Sequence, residues 1–203
     1  MIERERAGGL AWLCALQFFV AEAFAAAAVP GYSYRLSYIS DLGAEACSEI
    51  CSPRHSWMNA SFGLQTALIL TGLALRPVRP RLGALALAVC AVGAGVVGFA
   101  PEDFSPDWHY AGATANLVGS NIGALLCGLA PGAGRAARAG IVAGAVGLAA
   151  CVALGLHAYG ALGVGVVERL AAYPFVLWLA ANGAAALRGD GGAPARHARD
   201  AGP

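Results

Sequence analysis

Histidine and carboxylate side chains are the groups in this chain best able to move a proton or hold a metal ion, and they bunch. Asp41 sits in SerAspLeuGly, His55 in SerProArgHis, Glu102 and Asp103 in ProGluAsp, Asp107 and His109 in AspTrpHis, His157 near the end of the fifth apolar run, and Glu168 beside Arg169. An imidazole beside a carboxylate suits general acid and base catalysis, because histidine titrates near neutral pH and the carboxylate can orient it or take its proton. The same atoms suit a zinc ion with one open water position. The spacing does not favour zinc, since HExxH, histidines four apart and cysteine pairs of metal-finger spacing are missing. The sequence requires no cofactor. In an enzyme, Asp41 or Glu102 would be the acid or base and His109 the partner. Arg169 would hold a phosphate or orient a carboxylate, unless it simply pairs with Glu22, Asp41 or Glu168 or binds a lipid phosphate. His55, Asn59, Asn116 and Glu168 complete the binding set.

Uncharged polar groups extend this set into apolar sequence. His109, Asn116 and Ser120 are spaced by seven and four residues, which places them on one helix face, and Asn59 and Thr66 repeat the spacing of seven. The two stripes either face each other across a wet pocket or form interhelical hydrogen bonds worth about 0.6 kcal/mol each.

The elements that must position these groups follow from composition. The chain has 203 residues, 58% apolar and 12% charged, with mean hydropathy +0.62. Soluble domains carry about 25% charged residues. Runs long enough for a bilayer core lie at about 8–29, 56–75, 82–100, 108–130, 139–159 and 166–187. They do not alternate as barrel strands do, so the expected fold is all-α, a polytopic integral membrane bundle of six transmembrane helices over residues 1–187. The net charge of +1 offers no basic face for nucleic acid. Ten arginines fall on one side of this topology and only Arg35, Arg54 and Arg169 on the other. The positive-inside rule then places both termini in the cytoplasm and the chemistry-bearing connections outside. The competing reading of the first run, a cleaved signal ending near AlaAlaValProGly, fits less well because its flank MetIleGluArgGluArg is charge-balanced.

The connection over 30–55 is too long for a turn and reads as a lid or plug, with a short helix from Asp41 to Ile50. Cys47 and Cys51, four residues apart on the oxidising side, are positioned either to pair or to remain free. Gly119 with Gly123 and Gly140 with Gly144 have the spacing that lets helices approach closely, here within the bundle. Residues 188–203 lack an apolar period and read as a disordered cytoplasmic tail.

Several motifs in order carry a family resemblance: SerTyrIleSerAspLeuGly at 37–43, SerProArgHis at 52–55, MetAsnAlaSerPhe at 58–62, PheAlaProGluAsp at 99–103, His109 with Gly112 and Ala113, and GlyValValGluArgLeu with TyrPro at 165–174. From about Gly8 to Leu187 the chain resembles the bacterial and archaeal membrane proteins grouped as domain of unknown function 998. The resemblance implies six spans in the cytoplasmic membrane, no established activity, and matched positions at Asp41, His55, Asn59, Glu102, Asp103, His109, Glu168 and Arg169. In size and layout the chain is more remotely similar to small polytopic lipid hydrolases and isoprenoid cyclases, without the paired HisxxxHis of the hydrolases. The expectation is a membrane protein that binds a lipid or isoprenoid in an outward-open polar pocket, acting on it as a cyclase, transferase or hydrolase if it is an enzyme. The contrasting class is a structural or regulatory bundle in which the same groups form a hydrogen-bonded cap, and a transporter stands third.

Overall fold

Six helices long and apolar enough to cross a membrane follow one another along the chain. A computed structural model describes residues 2–46 and 51–189. The helices are α1 (Ile2–Ala26), α2 (His55–Leu75), α3 (Arg81–Phe99), α4 (Pro106–Leu129), α5 (Arg135–Gly155) and α6 (Val164–Arg188); among the described residues no strand occurs. Each packs against its neighbours in sequence, and α6 closes on α1, so the bundle is a ring. Proline and glycine set the ends. Pro106 occupies the first turn of α4, where its missing N–H costs nothing, and Gly189 closes α6 in the left-handed conformation.

The glycine pairs act inside the ring. A Cβ on Gly119 would lie 2.9 Å from the Ala86 carbonyl oxygen of α3, and one on Gly144 would crowd the Asn121 carbonyl of α4 at 2.5 Å. Gly183 of α6 likewise leaves room for the backbone of α1 at Gly9 and Leu13.

Two departures from the sequence expectation concern the first span and the long connection. Helix α1 begins at Ile2, several residues earlier than its apolar run, because the charged residues at its start are mostly exposed. It is broken by a 3-10 turn over Cys14–Leu16, just before Gln17. The helix expected over 41–50 is instead a 3-10 turn over Ser40–Gly43, with Ala44 extended. The carbonyls that would have propagated it are diverted: Leu42 O accepts from Ser52 Oγ at 2.8 Å and Gly43 O from Asn59 Nδ2 at 3.1 Å. Residues 47–50 of that expected helix, Cys47 included, lie outside the described residues, as does the tail beyond Gly189. Cys51 is disulfide-bonded.

Candidate functional site

At the end of the ring that carries the long connection, a cavity of about 620 Å³ opens within the bundle. Its deeper wall is mostly apolar, with Phe18, Leu117, Ala172 and Phe175 among the lining residues, and also carries Gln65, Asn116 and Ser120. Its shallow end is lined by Tyr38, Glu102, His109, His157, Tyr159 and Glu168. Ring packing explains the polarity. Glu102 precedes α4, His109 sits in its first turn and Glu168 one turn into α6, so helices entering from one end deliver these groups to the same depth.

His109 is only 4% exposed. Its Nδ1 lies 3.0 Å from the Ala100 carbonyl oxygen, an acceptor only, which assigns the ring proton to Nδ1. Nε2 then faces the Glu102 carboxylate at 3.9 Å, beyond hydrogen-bond range. Glu168 Oε2 accepts from the Ile39 backbone N–H at 2.5 Å, holding the long connection over the cavity. On the far side, His157 Nδ1 lies 2.8 Å from the Tyr159 hydroxyl. Its backbone adopts φ +51, a left-handed conformation that non-glycine residues seldom take. Exposed residues among the lining place the mouth. Tyr110 and Thr114 of α4 and Gly155 and His157 at the end of α5 both line the cavity and remain exposed, so it opens between the shallow ends of α4 and α5.

Deeper, Asn116 and Ser120 follow His109 down the cavity wall as their spacing predicts. Asn116 Nδ2 also donates to Cys90 O at 3.1 Å. The facing stripe is different. Thr66 Oγ1 donates to Ala91 O at 2.7 Å and Asn59 ties down Gly43, so both join elements instead of lining the cavity. From α2 the polar lining residue is Gln65.

Asp41, Arg169 and His55 stand apart from the cavity lining. The Asp41 carboxylate reaches back to the Tyr38 N–H at 2.7 Å, a capping contact that fixes the 3-10 turn. Burial, reinforced by the neighbouring charge of Glu102, pushes its pKa up to about 7. Arg169, 6% exposed, is bound to Glu22, which is 1% exposed, at 2.8 Å from Nη2. Its Nε donates to Glu22 and Tyr173, its Nη1 to the carbonyls of Tyr34, Ser37 and Gly165, and its Nη2 to the Tyr32 hydroxyl. All five N–H groups of the guanidinium therefore have acceptors. His55 opens α2 at the surface. Among the described residues, no group of three His, Cys, Asp or Glu side chains is placed to hold a metal ion.

The order of motifs that carried the family resemblance extends through these elements, and a family model described as "Protein of unknown function (DUF998)" matches residues 12–185. The chain belongs to the DUF998 family. The match runs from the middle of α1 to near the end of α6, so cavity, long connection and Arg169 cluster all lie inside the family's domain. No curated protein and no solved structure matches the chain.

Sequence reasoning missed Tyr38, Tyr159, Tyr32 and Tyr173 as partners. Tyr173 was within reach of a sequence rule: it stands four residues after Arg169, one helical turn away, and a buried guanidinium requires acceptors.

Proposed function

We propose that this DUF998 protein binds a single-chain amphiphile, a lipid or isoprenoid, within the ring of helices, with its head at the histidine and carboxylate end and its chain against the apolar wall. The cavity carries this reading. Its volume of about 620 Å³ falls in the range of ligand sites, about 300–1,000 Å³, and its titratable groups are gathered at the shallow end, while its deeper lining is mostly apolar and carries the uncharged polar groups Gln65, Asn116 and Ser120. Its mouth opens sideways between α4 and α5, toward the surface that acyl chains cover in a bilayer, so a lipid reaches it without crossing water. Binding is favoured over acid and base chemistry through Asp41, because that carboxylate is committed to the turn and does not line the cavity. On this reading the head faces the outside of the cytoplasmic membrane, as the arginine bias predicts.

The test is native mass spectrometry of the protein extracted from its own membrane in mild detergent. The expected spectrum carries one amphiphile adduct per chain, and Ala172→Trp, which fills the deep end, removes it while helical content stays unchanged. A wild-type protein that carries no adduct and takes up no added alkyl-chain amphiphile would overturn the proposal.

A further inference from the structure

A bilayer's own chains are as apolar as the cavity's deep wall, so moving a chain from lipid into the bundle gains little hydrophobic free energy. The polar end must therefore select the ligand. Three observations there point the same way.

The first is the state of Arg169, which stands beside Glu168 of the lining. Arg169 is saturated by Glu22, three carbonyls and two tyrosines, and does not line the cavity. No N–H of that guanidinium is left for a phosphate or carboxylate head. The second is the gap between His109 and Glu102. With its proton on Nδ1, His109 presents an acceptor nitrogen 3.9 Å from a carboxylate oxygen. One donor nitrogen about 2.8 Å from each spans that gap with ordinary hydrogen bonds. Glu168 adds a second carboxylate at the same end. The third lies deeper and is independent. Gln65 is 4% exposed, lines the cavity, and has a buried Nε2 without a hydrogen-bond partner. Its amide orientation is fixed through neighbours: Gln17 Nε2 donates to the Ser61 carbonyl at 3.2 Å, so the same Nε2 must also donate to Gln65 Oε1 at 3.1 Å. That leaves Gln65 Nε2 as a donor awaiting an acceptor. Ten residues from the start of α2, it lies about 15 Å below that end at 1.5 Å per residue.

We infer that the ligand is a long-chain amine, its ammonium head held between Glu102, His109 and Glu168 and an acceptor oxygen further down its chain facing Gln65. This rests on the amphiphile-binding reading and names its ligand class.

The experiment compares hexadecylamine, hexadecyl phosphate and hexadecanoic acid as added ligands for purified, delipidated protein in detergent, read by native mass spectrometry and by the thermal midpoint. Hexadecylamine is expected to bind at least tenfold more tightly than either anion, and Glu168→Gln and Glu102→Gln each to weaken the amine tenfold or more without weakening the anions. Gln65→Leu leaves hexadecylamine binding intact, since that probe has no chain oxygen, but weakens an alkylamine carrying a mid-chain ketone. If all three chains bind alike, or an anion binds best, and Ala172→Trp abolishes them all, the amine assignment falls while the cavity stands as a lipid site. If none of the probes binds, both readings fall.

Discussion

A lone arginine inside a span reads as a functional group, because charge at depth is costly. In this bundle it is architectural. Arg169 joins α6 to Glu22 of α1 and to the backbone of the long connection at Tyr34 and Ser37, so a single guanidinium closes the ring and pins its cover. Removing one partner of a buried pair leaves an uncompensated charge, at a cost of about 3–5 kcal/mol. Arg169→Met is thus expected to lower stability by that order in denaturant or thermal unfolding, and Glu22→Gln by less, because the amide still accepts from the guanidinium. Asp41 gives a second test. Its pKa rises from 3.8 to about 7 on folding, so between those values the folded state binds more protons than the unfolded. Stability therefore falls as pH climbs through that window. The charges that bear on Asp41 are Glu102, which raises its pKa, and Arg169, which lowers it. Asp41→Asn keeps an acceptor for the Tyr38 N–H and removes the titration. Its unfolding midpoint should vary less than wild type's between pH 4 and 7, and equal slopes in the two proteins would refute the assignment.

Among the elements, the spans were legible because apolar length alone dictates them, and their observed ends differ from the apolar runs most at α1, where exposed charged residues continue the helix, and at α5, which begins and ends four residues earlier than its run. The His109, Asn116 and Ser120 stripe was legible because all three project from one face of one helix, and that face meets the cavity. The Asn59 and Thr66 stripe has the same period yet turns to Gly43 and Ala91, because helical spacing states that two residues share a face and not what the face meets. The long connection was the least legible. Its conformation depends on Ser52, Asn59 and Glu168 taking backbone partners from residues far off in sequence, which local propensity does not encode. Helix packing yields a sharp contrast. A Cβ on Gly119 would meet Ala86 O and Cys90 N at about 3 Å, whereas one on Gly63 of α2 would have no neighbouring atom within 4 Å outside its own helix turn. Gly119→Ala must push α4 off α3 and should cost about 1–3 kcal/mol, as overpacking does. Gly63→Ala should leave stability unchanged or raise it by about 0.5–1 kcal/mol through helix propensity. Thermal unfolding of the two single variants under one condition checks the pair.

Over the whole molecule, the ring is closely packed at one end, and the cavity lies toward the other. Glycine contacts join α4 to α5 at Asn121, Ala124 and Leu125, toward the arginine-rich end, while the opposite halves of the same helices line the cavity. Trp57, Phe99, Phe104 and Trp108 stand exposed around the cavity end, the distribution aromatic residues adopt at a membrane boundary. The long connection, anchored by Glu168, Asn59 and Arg169, covers the cavity from above, so if the proposed amphiphile binds, the gap between α4 and α5 is its path. Mouth and floor then separate kinetically. A bulky residue at the mouth, Thr114→Trp, raises the barrier to arrival and departure alike, so both rates should fall by similar factors while the dissociation constant stays within about twofold. A bulky residue at the floor, Ala172→Trp, removes space the bound chain occupies, so it weakens affinity, with the loss showing mainly in the off-rate, as for most interface changes. Stopped-flow exchange of a fluorescent alkyl-chain amphiphile measures both. Were Thr114→Trp to change affinity as strongly as Ala172→Trp, position 114 would belong to the seat of the ligand instead of its path. Were it to change neither rate nor affinity, the chain would have to pass beneath the long connection, and the anchoring by Glu168 and Asn59 would become the gate.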